Sequence, residues 1–443
     1  MKVLKKVLTR AVLLCAGLLL LFYGVLMIRE RLSYKQAIAY NADVIVKIPV
    51  DDLAIDYFFG EFGDLGGSSK KEKKEKKLNK GVYYPANVFV YTVKGKKATT
   101  LFTSLPVADS ADLSIYLIKK YKLKREASDK GYSLLKNNDG RFRVAFTEDR
   151  LVLSYSSTKE SVTDVFDSLL VEGKQLTNEL YLKMLKSVDD DIVILTEEGP
   201  VCTFEFEKGF ISFNGSVKNS FKGAKSYNTL AEIQTDTTRA FYLSMNGIPL
   251  LKQHTLPIGE TGVSVANVMA KYASGIQVNV EGTTLQEKSV ITYDYNDDFE
   301  KVEVKTITQE EVPSITMSLK SNSVNGLMSY LTDKGVLKDS MLASDIFPLY
   351  TFFTKSSDRG NIIISTNVNE NEKDVATYGL PFYLYANFRN LAEYKDLVFI
   401  KPYVKEVKDI EIKSQPADNN VFTFTGKLNL SDTDKSPLKL LIK

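Results

Sequence analysis

The sequence predicts an α+β fold: a single N-terminal transmembrane helix followed by an exported domain of mostly antiparallel sheets with flanking helices. Three observations lead to it. Ala11 to Ile28 is a run of eighteen uncharged, mostly apolar residues bounded by charge on both sides. Beyond it, apolar residues recur at every second position in short stretches separated by turn residues, the period of a half-buried strand. Between those stretches lie shorter segments of helical composition that open on capping residues, and strands in runs interrupted by such helices define an α+β protein.

At the helical rise, eighteen residues cover about 27 Å, close to the roughly 30 Å hydrocarbon core of a bilayer. A cleavable signal would end a shorter apolar region at a small-residue site, whereas this run ends in Leu26, Met27, Ile28 and Arg29. Cys15 follows Leu14 rather than a small residue and lies inside the run, which does not suit a lipoprotein. The run therefore reads as a retained anchor, with Ala11, Leu14, Leu18, Leu21, Phe22, Val25 and Ile28 as its membrane-anchoring positions. Lys2, Lys5, Lys6 and Arg10 precede it without an acid, against Arg29, Arg31 and Lys35 with Glu30 after it. That bias places the tail 1–10 in the cytoplasm and the bulk of the chain in a periplasm.

The remaining residues are enough for two or three ordinary domains, and 44% hydrophobic residues can fill their cores. Of the 58 Lys and Arg, four lie in the first ten residues, leaving 54 against 55 Asp and Glu. A near-balanced charge argues against nucleic acid as a partner. With Cys15 in the anchor, Cys202 has no intrachain partner, so the exported part carries no internal disulfide, as a bacterial periplasm allows.

Taken in order, residues 29–40 read as a helical juxtamembrane stalk, and 41–230 and 231–443 as two α+β lobes. Ala42, Val44, Val46, Ile48 and Val50 alternate on one face of a strand, with Asp43, Lys47 and Pro49 on the other. Asp51 is placed to cap a short helix carrying Leu53, Ile55, Tyr57 and Phe58. Residues 64–80 are a disordered charged loop: seven lysines and two glutamates between Lys70 and Lys80 bury nothing. Strands at 87–94 and 98–107 meet at the hairpin signal Lys94-Gly95-Lys96. A helix is expected over Asp109–Lys122, then a hairpin with Phe142, Val144 and Phe146 answered by Leu151, Leu153 and Tyr155. Ser157 with Glu160 three residues on has capping-box spacing for a helix over 157–170, and a second helix follows over 177–187. Strands resume at Asp191–Leu195 and on both sides of Lys208-Gly209, with Cys202 on an apolar face as a buried structural thiol. Further strands are expected at 276–280, 289–295, 301–307 and 362–366, a helix at 323–332, and two strands around 415–420; Ile346–Phe353 is the most apolar and aromatic run of this half. Four segments starting at Asp43, Arg239, Ser314 and Pro381 share a strand, a polar or turn residue and a leucine-bearing helix start, either a repeated building block or chance similarity.

Catalytic chemistry has little to stand on. His254 is the only histidine and reads as a surface residue of a loop or helix end, so a catalytic triad or a multi-histidine metal site has little to work with. G-x-S-x-G, H-E-x-x-H, C-x-x-C, G-x-G-x-x-G and the P-loop pattern are absent. S-x-x-K occurs at Ser133/Lys136 and Ser156/Lys159 without the companion motifs of penicillin-binding enzymes. Asp294, Asn296 and Asp298 imitate the start of a calcium loop, but Phe299 stands where glycine is needed and Lys305 where a bidentate glutamate belongs. No catalytic residue, metal ligand or cofactor is expected.

The anchor, the segment ADVIVKIPVDDL and the passage RFRVAFTEDRLVLSYSSTKESVTDVFDSLL together resemble large anchored envelope proteins of Bacteroidetes-type bacteria. That resemblance implies location and architecture rather than an activity. The reading is a non-enzymatic, single-pass inner-membrane protein whose periplasmic part binds or scaffolds another envelope protein or lipid. Two alternatives accompany it: a carrier of lipid or another apolar ligand, suggested by 11% aromatic residues, and an envelope hydrolase using carboxylates or a Ser-Lys pair.

Overall fold

A computed structural model of the chain describes residues 24–53, 80–218, 239–246, 258, 260–271, 273–295, 299–357, 360–369, 380–417 and 421–438. The chain is α+β and mostly antiparallel sheet. It divides into two compact units, the first reaching to Phe206 and taking in Leu438 near the other end of the chain, the second Glu207–Pro437.

The first unit holds strands β1 (Ala42–Pro49), β2 (Asn87–Val93), β3 (Thr100–Pro106), β4 (Lys124–Glu126), β5 (Ser133–Lys136), β6 (Phe142–Phe146), β7 (Arg150–Ser156), β8 (Ile192–Thr196) and β9 (Gly199–Glu207). They lie in the order β9-β8-β1-β2-β3-β7-β6-β5-β4, every neighbouring pair antiparallel. Helices α1 (residues 24–33), α2 (Ser110–Tyr121), α3 (Thr163–Phe166, running into a π-turn at Asp167–Val171) and α4 (Glu179–Ser187) accompany the sheet.

Strand alternation fills two separate cores. Leu135, Val144, Phe146 and Leu151 pack with Leu113 and Leu117 of α2, while their neighbours Leu134, Ala145 and Val152 pack with Val165 and Phe166 of α3 and Tyr181 and Leu185 of α4. Successive residues of a strand point to opposite faces, so a sheet covered on both sides buries both sets. Complete burial of a side chain the size of Phe166 contributes about 1.5–3 kcal/mol. α2 is capped at Asp109, whose carboxylate accepts from Asp112 N at 2.8 Å, and ends at Lys122 in the left-handed region. Asn178 caps α4 through the amides of Leu180 and Tyr181.

Three local expectations change. The helix expected from Ser157 starts at Thr163, because the Glu160 carboxylate is taken by the Thr100 hydroxyl and the Lys97 amide and cannot complete a capping box. Asp51 does not cap: its carboxylate faces Arg29. Residues 29–40 are not a free stalk; α1 ends at residue 33, and Ser33, Ala37, Ile38 and Ala39 are buried in the core. The expected loop 64–80 and the helix beyond Leu53 lie outside the described residues, Lys80 apart.

The second unit holds β10 (Phe210–Lys218), β11 (Phe241–Asn246), β12 (Ala273–Tyr295), β13 (Lys301–Ser321), β14 (Leu337–Lys338), β15 (Met341–Leu342), β16 (Phe353–Ser356), β17 (Asn361–Ser365), β18 (Phe382–Asn387), β19 (Val407–Ala417) and β20 (Val421–Leu430). Their order is β10-β20-β19-β18-β11-β12-β13-β17-β16-β15-β14, antiparallel throughout. Helices α5 (Val265–Lys271) and α6 (Val324–Asp333) bury Val268, Leu327 and Leu331 against Leu319, Ile362 and Ile364. The aromatic run 346–353 belongs to this core: Phe352 is buried and meets Phe347 edge-to-face at 5.2 Å. Of the four repeat-like segments, those at Asp43, Ser314 and Pro381 run from strand into helix, and the continuation of the one at Arg239 lies outside the described residues.

Candidate functional site

Within the first unit, a cavity of about 520 Å³ opens beside α1. Four pieces of chain form it: Arg29 to Ala37, the segment Tyr83-Tyr84-Pro85, the end of β3 at Ser104–Pro106, and the turn at Asp149–Arg150. Backbone bonds fix these pieces to one another. Tyr83 N donates to Pro106 O at 3.1 Å, and Val107 N donates to Asp149 O at 3.0 Å. α1 is tied down by Arg29, whose Nε and Nη2 reach the two carboxylate oxygens of Asp51 at 2.7 and 2.8 Å while Nη2 also reaches Tyr84 O at 3.0 Å. That two-pronged bond to Asp51 raises the Arg29 pKa above its ordinary value.

The wall of the cavity is apolar and its rim is charged. Leu32, Tyr83 and Tyr84 are more than half exposed, and Pro85, Leu105 and Pro106 continue the surface. Arg29 is matched by Asp51, and the other charged residues lining the cavity are Lys35, Arg150 and a single carboxylate, Asp149. Thr147 donates to Asp149 at 2.6 Å and holds its pKa below the ordinary carboxylate value, so Asp149 stays ionised at neutral pH. The rim therefore carries a surplus of one positive charge. Arg150 is oriented by Nη1 donating to Leu169 O at 3.1 Å. Gln36 also lines the cavity; its Nε2 donates to Ser33 O and Asn87 O, and its buried Oε1 has no hydrogen-bond partner among the described residues. Such a shape suits a small amphiphile: an apolar part against the aromatic wall and one anionic group at the rim.

The anchor positions Ala11, Leu14, Leu18, Leu21 and Phe22 lie outside the described residues, and among the described residues no helix is long and apolar enough to cross a membrane. Val25 and Ile28 fall on α1, 54% and 60% exposed. α1 thus contains the last five residues of the apolar run, 24–28, and carries Arg29 and Leu32 to the cavity within the next turn.

The two S-x-x-K patterns are not brought together as catalytic pairs. Ser133 is exposed at a broad polar recess, but Lys136, three residues along β5, projects from the opposite face and is bonded to Glu126 at 2.9 Å. Ser156 is buried and shares a 2.8 Å hydrogen bond with Thr100, while Lys159 sits in a turn with positive φ. Cys202 is buried on β9 opposite Ile194, and burial pushes its thiol pKa up, away from a reactive thiolate. His254, Asn296 and Asp298 lie outside the described residues. Among the described residues no group of three or more His, Cys, Asp and Glu is placed to hold a metal ion.

Sequence reasoning missed Arg29, Tyr84 and Arg150 as neighbours. The one available signal was Tyr83-Tyr84-Pro85, two large aromatic residues outside any alternating pattern, which ordinary core packing leaves unexplained.

No family model matches the sequence, and no curated protein matches it. Among solved structures, crystal forms I, IV and III of TP0453 are similar to this chain with TM-scores of 0.23, 0.24 and 0.24 at 9%, 10% and 9% identity. The matches cover 74% of this chain and 88%, 92% and 90% of the TP0453 chains. Likeness of that degree carries no argument about activity.

Proposed function

We propose that this chain is a membrane-tethered, envelope-side binding protein whose first unit takes an amphiphilic envelope component with one negative charge. The observation that carries the reading is the cavity at α1, apolar along Leu32, Tyr84 and Leu105 and singly positive at its rim. In this reading residues 11–28 hold the chain in the inner membrane with the bulk of it in the periplasm. At about 1.5 Å per helical residue, Arg29 and Leu32 then stand within roughly 6 Å of the end of the span, at the depth of lipid headgroups. A ligand drawn from that layer needs its apolar part sheltered and its charge met by Lys35 and Arg150. The wider resemblance to anchored Bacteroidetes-type envelope proteins supports the same location.

The test uses the full chain in detergent with a photoactivatable long-chain fatty acid as the probe. Labelling is expected at residues 32–36 and 83–85, and both Lys35→Glu and Arg150→Glu should reduce it about tenfold, the effect of losing one charge-assisted hydrogen bond of roughly 1.5 kcal/mol or more. Lys35 is exposed, so its variant reads binding even where Arg150→Glu disturbs the contact to Leu169. Labelling elsewhere on the chain, or labelling indifferent to Lys35→Glu, would falsify the assignment. Orientation has a separate measurement. A periplasm-specific reporter fused after Lys443 should be active, and activity of a cytoplasmic reporter at that point reverses the topology.

A further inference from the structure

β12 and β13 form a hairpin far longer than the sheet that holds it. β12 pairs with β11 only through Gly275–Val280, and β13 pairs with β17 only through Thr316–Lys320. From Thr283 to Tyr295 and from Lys301 to Pro313 the two strands pair with each other alone among the described residues, a two-stranded ribbon about 40 Å long. Its base is fastened by Gln286, whose Nε2 donates to Thr351 O at 2.6 Å and Thr366 O at 2.8 Å. Farther out, apolar side chains stand in solvent: Ile307 is 68% exposed, and Val302 and Val304 are more than a third exposed. A lone two-stranded ribbon is marginal in water, and an open edge with exposed apolar side chains is a template for another strand.

The β13 edge has a sequence that is complementary to itself. It reads Lys301-Val302-Glu303-Val304-Lys305-Thr306-Ile307, with charges of alternating sign on one face and Val, Val and Thr on the other. Turned antiparallel to a copy of itself about Val304, it sets Glu303 opposite Lys305 twice, Val302 opposite Thr306 twice, and Val304 opposite Val304, with Lys301 opposite Ile307 at the two ends. Opposite charges and β-branched residues in directly opposed positions are stabilising, and like charges there are not. A register centred on Thr306 would instead bring Glu310, already bonded to Lys288 at 2.7 Å, against Val302. One centred on Val302 runs into Phe299, whose positive φ ends the strand. The β12 edge is less suited: its Lys288 is held by Glu310 across the ribbon at 2.7 Å, a closer bond than the 3.4 Å one that Tyr293 donates to Glu303 on the β13 edge.

We propose that the β13 edge of this ribbon is a homodimer interface, in which Lys301–Ile307 pairs with the same segment of a second copy about a two-fold axis at Val304. The pairing is isologous, so it closes at two copies and makes a four-stranded sheet from two ribbons. The partner is a second copy because reversal about Val304 brings Glu303 onto Lys305 on both sides of the axis.

The test is disulfide trapping in membranes carrying the full chain with Cys15→Ala; the other native thiol, Cys202, is buried. Val304→Cys should give a reducible dimer on mild oxidation, since directly opposed strand residues stand at disulfide distance. Thr292→Cys, opposite Val304 on the strand behind the edge, should give about tenfold less because its Cα is one strand farther from the axis. In the Val304→Cys background, Glu303→Lys should abolish trapping and Glu303→Lys with Lys305→Glu should restore it, with circular dichroism confirming that each variant is folded. The proposal is overturned by trapping no stronger than at Thr292→Cys, by stronger trapping at Ile291→Cys on the other edge, by a crosslink to a different protein, or by a charge swap that does not restore what the single reversal removed.

Discussion

Gly81→Ala is expected to destabilise the first unit by about 3 kcal/mol, from left-handed strain of roughly 1–2 kcal/mol and overpacking of similar size. Gly81 has φ +64°, and its carbonyl accepts from Ala108 N at 2.9 Å and Asp109 N at 3.2 Å, which holds it against the first turn of α2. A Cβ there would fall on Asp109 O and Leu113 N and lie 2.8 Å from Leu113 Cα. Those are backbone atoms of a capped helix, so no side chain can swing aside. For a unit of about 200 residues the loss corresponds to a fall in Tm of about 6–12 °C. Gly95→Ala is the control, with φ +87° but no atom within 4 Å of the new Cβ, so it reads the strain alone. Thermal unfolding followed by circular dichroism should show the Gly81 variant clearly below the Gly95 variant. Equal losses would mean that contact with α2 contributes nothing. Because Tyr83 and Tyr84 lie only two and three residues beyond Gly81, the same variant should also lose fatty-acid labelling at the cavity.

The parts of this fold visible in the sequence are those governed by local rules. The β6–β7 hairpin follows from alternation on both sides of Glu148-Asp149, and α2 follows from a capping aspartate ahead of Leu113 and Leu117. Where a side chain is claimed by a distant partner, local rules mislead. Glu160 belongs to Thr100, 60 residues away in sequence, so the capping box does not form and α3 starts late. The ribbon reads in the sequence as separate short strands because Thr283 to Lys288 is a polar stretch that interrupts the hydrophobic period, although the ladder runs through it. The cavity was not visible at all. Arg29, Tyr84 and Arg150 meet only because α1, the chain before β2 and the β6–β7 turn converge, and no spacing rule joins positions so far apart. Lys47 departs from its sequence reading for a related reason: alternation assigns it to the polar face of β1, but a sheet covered on both sides has no solvated face at that position.

Lys47→Glu is expected to cost about 3–5 kcal/mol, the size of effect seen when a buried charge is left opposed. Lys47 is 3% exposed, its Nζ donates to Val188 O at 2.7 Å, and it stands 5.7 Å from the centre of the Tyr34 ring. Burial lowers its pKa from the ordinary 10.5, against the opposing pull of Asp189, Glu30, Asp52 and Asp190. A glutamate there would point a carboxylate at a carbonyl among those four acids. Lys47→Met keeps the aliphatic stem and discards the charge, so its cost should stay near 1–2 kcal/mol, the loss of one hydrogen bond to a carbonyl. The pair also has a pH signature. Between the lowered folded pKa and 10.5, the unfolded chain binds more protons at this site than the folded chain, so its contribution to stability rises with pH across that window and is lowest below it. Methionine cannot titrate. Urea unfolding of wild type and Lys47→Met at a series of pH values should therefore show the difference shifting in favour of wild type as pH approaches 10.5. Tyr34, whose pKa burial raises, adds an opposite trend, but it is present in both proteins and largely cancels in the difference. Parallel stability curves would show that Lys47 is as well solvated folded as unfolded, and the buried site described for it would have to be abandoned.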